Sequence, residues 1–247
     1  MRTIGLVAHS AEGGSLCFHT LCREGLTTLG GHMHPEIVVS AIPMGLSMRA
    51  WEQDDHDAVG AQLLRGVEVV RDGGADFFVC PDNTAHLVLE KIADSLPLPG
   101  LHIADAVCGE ILRNGWTSAG LLGTEWTMGG AVYEQRLSAH GIERLVPPQS
   151  TRTIIHNAIF EELCQGVFRQ DTTGVFLDAI DELASRGAQC VILGCTEIPL
   201  IVTHENSSLP VLDSTRLLAR DGVRVALQDE ALDTSNNWIR TPISQGV

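Results

Sequence analysis

Lysine is nearly missing from this chain: Lys91 is the only one among 247 residues. It falls on a predicted helix, away from strand ends, so no lysine stands ready for pyridoxal-phosphate chemistry. Positive charge is scarce throughout, with 16 basic residues against 31 acidic and a formal net charge of −15. That balance speaks against nucleic acid or an anionic membrane surface as a partner. It leaves an anionic small ligand open, because local cations and helix N-termini can hold one inside an acidic protein. No apolar run approaches the roughly 18 residues of a membrane span, and the opening Met1–Val7 offers no signal-peptide core. Neither GxGxxG nor GxxxxGKS/T occurs, so no dinucleotide or P-loop site follows. The seven cysteines are scattered and form no CxxC pair, which points to a reducing compartment rather than a disulfide framework. The expectation is a soluble cytoplasmic protein.

What is present is an ordinary globular composition, 44% hydrophobic and 19% charged, enough for one large domain or two small ones. Short apolar runs alternate with helical patterns. Strands are predicted at 4–8, 37–42, 76–80, 101–104, 118–122, 189–193 and 210–212, the second of them as a buried parallel strand. Helical spacing covers 57–72, where Val59, Leu63, Val67 and Val70 share a face, and also 84–93, 106–113, 128–139, 154–167, 175–185 and 215–227. The polar stretch after Asp229 reads as a mobile tail. This grammar predicts an α/β fold with parallel sheets. Two segments match when aligned on Gly-Ala: Gly74–Thr84 and Gly187–Glu197. Each runs Gly-Ala, apolar strand, polar turn, with Asp82 opposite Cys195 and Asn83 opposite Thr196. A half-chain duplication follows. The predicted division is 1–103 plus 215–228, then 104–214, with 229–247 as tail. Polar turns at the C-terminal strand ends are where such sheets bind ligands.

Cys195 follows a strand and precedes a predicted helix start, a setting that lowers a thiol pKa; the alternative is a small buried hydrophobe. Asp82, Asn83 and Thr84 are all good helix caps. One of them can cap while a desolvated Asp82, its pKa raised, serves as a base. Cys80 reads as buried support, and Cys108, Cys164 and Cys190 as structural. Arg49 either binds a substrate carboxylate or is a solvated loop arginine. His9, Ser10 and the glycines of 12–15 could form a short-anion cradle. His32 with His34, and the acids of 54–57, offer no third ligand, so no metal site is expected.

Residues 1–228 resemble the cofactor-independent aspartate/glutamate/hydantoin racemases, nearest the aspartate racemase branch. The resemblance rests on Gly194-Cys195-Thr196-Glu197-Ile198-Pro199-Leu200, on Asn83-Thr84-Ala85-His86, on 120–127 and on 209–215. It implies two similar α/β domains with the active site in the cleft between them, commonly a homodimer, and no cofactor. It implies one cysteine per domain, moving the α-proton on opposite faces. The second cysteine maps onto Cys195; the first maps onto Asp82, a departure from the family. Asn83, Thr84 and Thr196 map onto substrate binders, Thr124 and Thr127 onto a pair near the substrate carboxylate, and Ser10 onto the altered first loop. Arg49 lies where the family can bind a side-chain carboxylate. A lysine found near Val167 in some members is missing, and Arg169 is out of register.

The resemblance thus implies an amino-acid racemase acting on aspartate- or glutamate-like substrates, with Cys195 and Asp82 as the two acid/base groups. The alternatives are a single-cysteine decarboxylase or isomerase of a small dicarboxylic acid, and a non-catalytic ligand-binding relative.

Overall fold

A computed structural model describes residues 1–240, which fall into two compact units: Met1–Ala106 with residues 215–240, and Val107–Ser214.

The first unit opens with β1 (Ile4–Ala8), wholly buried, and α1 (Ala11–Leu29). Then come β2 (Ile37–Ala41), α2 (Gly45–Glu52), α3 (His56–Asp72), β3 (Phe77–Val79), the one-turn α4 (His86–Leu89) and β4 (Gly100–Leu101). The sheet order is β2-β1-β3-β4, with all four strands parallel. Its core joins Ile4, Leu6, Leu21, Phe77, Val79 and Leu101. α3 packs with Val59, Leu63, Val67 and Val70 fully buried, as its spacing predicts.

Several expectations are corrected here. The glycines of 12–15 do not form a loop cradle: they lie in the first turns of α1, where Gly14 passes so close to β1 that a Cβ would sit 2.6 Å from that of Ala8. β2 is parallel but is an edge strand with Val39 and Ala41 exposed. An unbroken β-branched run does not say how many neighbours a strand will have. The predicted helix 84–93 shrinks to α4, with a separate 3₁₀ turn at Ala93–Ser95.

α5 (Ile103–Arg113) crosses the boundary between the units. The second unit continues with β5 (Ser118–Gly123), α6 (Glu125–Gly129), α7 (Ala131–Ala139), β6 (Glu143–Leu145), α8 (Gln149–Glu161), α9 (Gln170–Ser185), β7 (Val191–Gly194) and β8 (Val211–Asp213). The order is β6-β5-β7-β8, again all parallel. Both units therefore share one 2-1-3-4 topology, with β3 and β7 as equivalent strands, as the internal match predicts. The expected helix 128–139 is two helices separated at Gly130. β6 went unread because Glu143-Arg144-Leu145 carries one apolar residue.

α10 (Ser214–Leu227) closes the first unit's core. The stretch read as a mobile tail is structured in part. β9 (Thr234–Ser235) and β10 (Trp238–Ile239) form an antiparallel hairpin, and β10 pairs with β4 at Gly100. Asn236 and Asn237 make its two-residue turn at φ +48 and +62, a backbone that asparagine tolerates. The Asn237 amide then donates to Leu96 O at 2.8 Å and Leu98 O at 3.0 Å. Residues 241–247 lie outside the described residues.

Candidate active site

In a 2-1-3-4 sheet the connections diverge between strands 1 and 3, and ligands bind beyond their C-terminal ends. In the first unit this point lies between β1 and β3, which lead to His9, Ser10 and Asp82. Asp82 is the most exposed of a tight group. Its Oδ1 accepts from Ala85 N at 3.2 Å, so it does cap the following turn. Its Oδ2 lies 2.7 Å from Nδ1 of His9, with side-chain exposures of 20% for Asp82 and 1% for His9. On the other side of the ring, Nε2 of His9 lies 2.5 Å from Oγ of Ser47. Ser47 Oγ in turn donates to Met44 O at 3.1 Å. The central strand thus delivers a histidine that links the segment after β2 to the turn after β3.

This environment corrects the expected raised pKa of Asp82. Burial does push it up, but the His9 hydrogen bond and charge, the Ala85 amide and His86 outweigh that and hold it below the ordinary value. Asp82 rests as a carboxylate. Asn83 and Thr84 follow it, both buried. Cys80 is buried behind the turn, and burial with the Asp82 charge drives its thiol far up, as suits buried support.

In the second unit the equivalent point lies between β5 and β7. These strands approach so closely at Gly123↔Gly194 that a Cβ on Gly194 would meet Leu122 O at 2.9 Å and Thr127 Cγ2 at 3.1 Å. Only glycine allows this approach, and it sets the two polar turns side by side. Thr124 caps α6, accepting from Thr127 N at 3.2 Å, and its hydroxyl donates to Thr127 Oγ1 at 3.2 Å. Cys195 Sγ donates to Oε2 of Glu197 at 2.9 Å, and Thr196 Oγ1 donates to the same oxygen at 2.8 Å.

Here a second expectation falls. No α-helix starts after Cys195; a single 3₁₀ turn at Ile198–Leu200 follows. The thiol is therefore not lowered by a helix. Burial, then the Glu197 charge, raise it well above the ordinary value, so Cys195 rests as S–H.

The profile of the Asp/Glu/hydantoin racemase family matches residues 14–222. The chain belongs to this family. It is similar to a broad-specificity amino-acid racemase, RacX of Bacillus subtilis, at 30% identity over 70% of this chain and 74% of the relative. It is similar also to a structure from Yersinia pestis assigned as an Asp/Glu racemase, at 31% identity and TM-score 0.85, covering 92% of this chain and 100% of that one. An aspartate racemase homologue of Pyrococcus horikoshii aligns at 26% identity and TM-score 0.78, with 92% and 100% covered. As a member of the Asp/Glu/hydantoin racemases the chain is an isomerase of the racemase type.

Within that racemase framework, Asp82, Asn83, Thr84 and Ser10 gather at the first switch point, and Cys195, Thr196, Thr124 and Thr127 at the second. Ser10 is the cap of α1, accepting from Gly13 N at 3.1 Å. Arg49 sits exposed on α2 rather than in a loop, two residues from Ser47. Lys91 reaches His56 at the surface. Among the described residues no group of three or more His, Cys, Asp or Glu is placed to hold a metal ion, and no helix is long and apolar enough to cross a membrane. Two residues here, Glu197 and Ser47, carry no role in the sequence reading, and His9 enters it only as part of a short-anion cradle. Glu197 was signalled by its place two residues after Cys195, and His9 by its place after β1. Ser47 had no signal, since only folding brings α2 against His9.

Proposed function

We propose that this chain is a cofactor-independent amino-acid racemase in which Asp82 and Cys195 serve opposite faces of one α-carbon. The observation that carries this is their opposite resting state: Asp82 is held ionised beside His9, and Cys195 is held protonated beside Glu197. One is a waiting base and the other a waiting acid, at the ends of equivalent strands.

In one direction the Asp82 carboxylate takes the α-proton. The Cα–H pair stays on the substrate and spreads into its carboxylate. The Cys195 thiol then gives its proton to the opposite face and becomes a thiolate. In the reverse direction that thiolate, made strongly basic by burial and Glu197, removes the proton and protonated Asp82 returns one. Asn83, Thr84, Thr196 and the Thr124–Thr127 pair supply donors to the developing enolate charge. Ser10 and Arg49 are assigned to the carboxylates of an aspartate- or glutamate-like substrate.

The test uses purified protein in deuterated water, with aspartate, glutamate and then every other common amino acid, each enantiomer separately. α-Deuterium incorporation together with interconversion supports the racemase. Carbon dioxide release from malonate-type acids without racemisation favours the decarboxylase, and neither activity favours a binding protein. In Asp82→Asn, which keeps the cap acceptor, interconversion should fall by about 10²–10⁴-fold while one enantiomer still exchanges with retention. Full activity of that variant in both directions removes Asp82 from the chemistry.

A further inference from the structure

α6 is five residues long, too short to be held by its own hydrogen bonds. Thr124 caps it and Thr127 lies within it, so whatever docks α6 sets that pair. The neighbour is α8. Its Gln149, Thr153, His156 and Phe160 follow one another at three- and four-residue spacings, which puts them on one face. Each touches Glu125 or Trp126, the first two residues of α6. Oε1 of Glu125 accepts from Gln149 Nε2 at 2.8 Å and from Thr153 Oγ1 at 2.7 Å. The Trp126 ring meets those of His156 and Phe160 edge to face, with centroids 5.1 and 5.9 Å away. The backbone amide of Glu125 donates to Nδ1 of His156 at 3.2 Å. A backbone amide can only donate. Nδ1 therefore carries no proton, and the ring is neutral with its proton on Nε2.

We propose that His156 is a positioning residue for the Thr124–Thr127 turn and makes substrate binding there sensitive to acid: its neutral ring holds the first amide of α6, and protonation of the ring releases it. This rests on the racemase reading, which sets that threonine pair against the substrate carboxylate. An imidazolium carries N–H at both nitrogens. Protonation of Nδ1 would point one N–H at another, so the ring must leave the amide. That amide then has no acceptor at hand, since the Thr124 hydroxyl already accepts from Thr127 N at 3.2 Å. The turn is held in place above the His156 midpoint and loosened below it.

The elements packed on α8 are α6, β5, α9 and the 3₁₀ turn at Leu163–Gln165. Burial is the larger influence on the ring and lowers His156 below its ordinary value. Among the described residues Glu125 of α6 is the charged group that acts on it, in the opposite sense. β5 carries no ionisable side chain, and neither the acids of α9 nor Cys164 act on the ring. The ring is therefore neutral at neutral pH and free to accept.

The experiment compares two variants of the full chain. His156→Asn keeps an acceptor where Nδ1 stood but cannot take up a proton. His156→Phe keeps a ring against Trp126 and Phe160 but has no acceptor. In the wild type, NMR follows the His156 ring proton and, with glutamate labelled at nitrogen, the Glu125 amide as the pH is lowered. The signals are assigned by their loss in His156→Asn and in Glu125→Gln. Both should titrate together, at one midpoint below 6.5. For the amino acid that the wild type racemises fastest, kcat/KM should fall by roughly tenfold through that midpoint, mostly in KM. His156→Asn should keep the neutral value and lose this acid limb. His156→Phe should show the roughly tenfold loss at every pH. A Glu125 amide that stays in place while His156 titrates, an acid limb retained in His156→Asn, or full kcat/KM in His156→Phe overturns the proposal. If His156→Phe does not fold, the joint titration and the His156→Asn profile decide. If the wild type racemises no amino acid, the racemase reading fails, and the joint titration still decides whether His156 governs the turn.

Discussion

The thiol of Cys195 and the carboxylate of Glu197, two residues apart, share a hydrogen bond of 2.9 Å in which sulfur is the donor. The contact is formed by a tight turn rather than a helix, and with burial it keeps the thiol protonated. A buried carboxylate beside a thiol makes the thiolate scarce at neutral pH and strongly basic once formed.

Glu197→Gln removes that charge and keeps the size. The Cys195 alkylation midpoint, read peptide by peptide by mass spectrometry with iodoacetamide, should move down by about one unit or more. A midpoint that stays in place would show that burial alone raises the thiol.

Cys195→Ser should lower turnover by about 10²–10⁴-fold in a protein that melts normally, because a serine hydroxyl is a far weaker base than a thiolate. Cys190 is fully buried just before β7, its thiol pushed up to about 12 by burial. Cys190→Ser should instead cost about 1–3 kcal/mol in urea unfolding with turnover per folded molecule retained. Equal loss of turnover in both folded variants contradicts the assignment.

His86 predicts acid sensitivity. Its folded-state value is depressed to about 3 from an ordinary 6.5, chiefly by burial. The unfolded chain therefore binds a proton below 6.5 that the folded chain refuses. The stability is fully present above that value and is lost as pH falls from 6.5 toward 3, by at most about 1.4 kcal/mol per unit. Urea midpoints at pH 7, 5 and 4 should fall in order in the wild type. In His86→Gln, whose amide can replace the Nε2 donation to Cys80 O of 3.0 Å, the decline should flatten. A parallel decline in the variant would assign the acid loss to other groups.

Gly194→Ala tests the close approach of β5 and β7. The added Cβ would meet the Leu122 backbone oxygen at 2.9 Å, which cannot swing aside, with Leu121 Cδ1 and Thr127 Cγ2 each at 3.1 Å. The variant should lose about 1–3 kcal/mol by thermal melting, and turnover should fall with it, because the Thr127 and Cys195 turns are forced apart. An unchanged Tm would mean that the strands relax freely.

Much of this was legible in the residues themselves. Apolar five-residue runs and the 3.6-residue spacing of Val59, Leu63, Val67 and Val70 are local properties, so the α/β alternation and the paired strands β3 and β7 could be read directly. So could the motif around Cys195; that Asp82 stands where the family has a cysteine is what the resemblance implies. The errors lay where neighbours decide. β2 became an edge, residues 234–239 folded onto β4 as a hairpin, and the helix expected after Cys195 became one 3₁₀ turn.

Sequence alone determined the family and the layered plan, and it singled out the two residues proposed to react. Tertiary structure decided their protonation. Asp82 is ionised because His9, 73 residues earlier, lies 2.7 Å from it, and the ring is oriented by Ser47, 38 residues beyond His9. A pKa depends on desolvation and on charges within a few ångströms, and only the folded sheet brings those groups within that range.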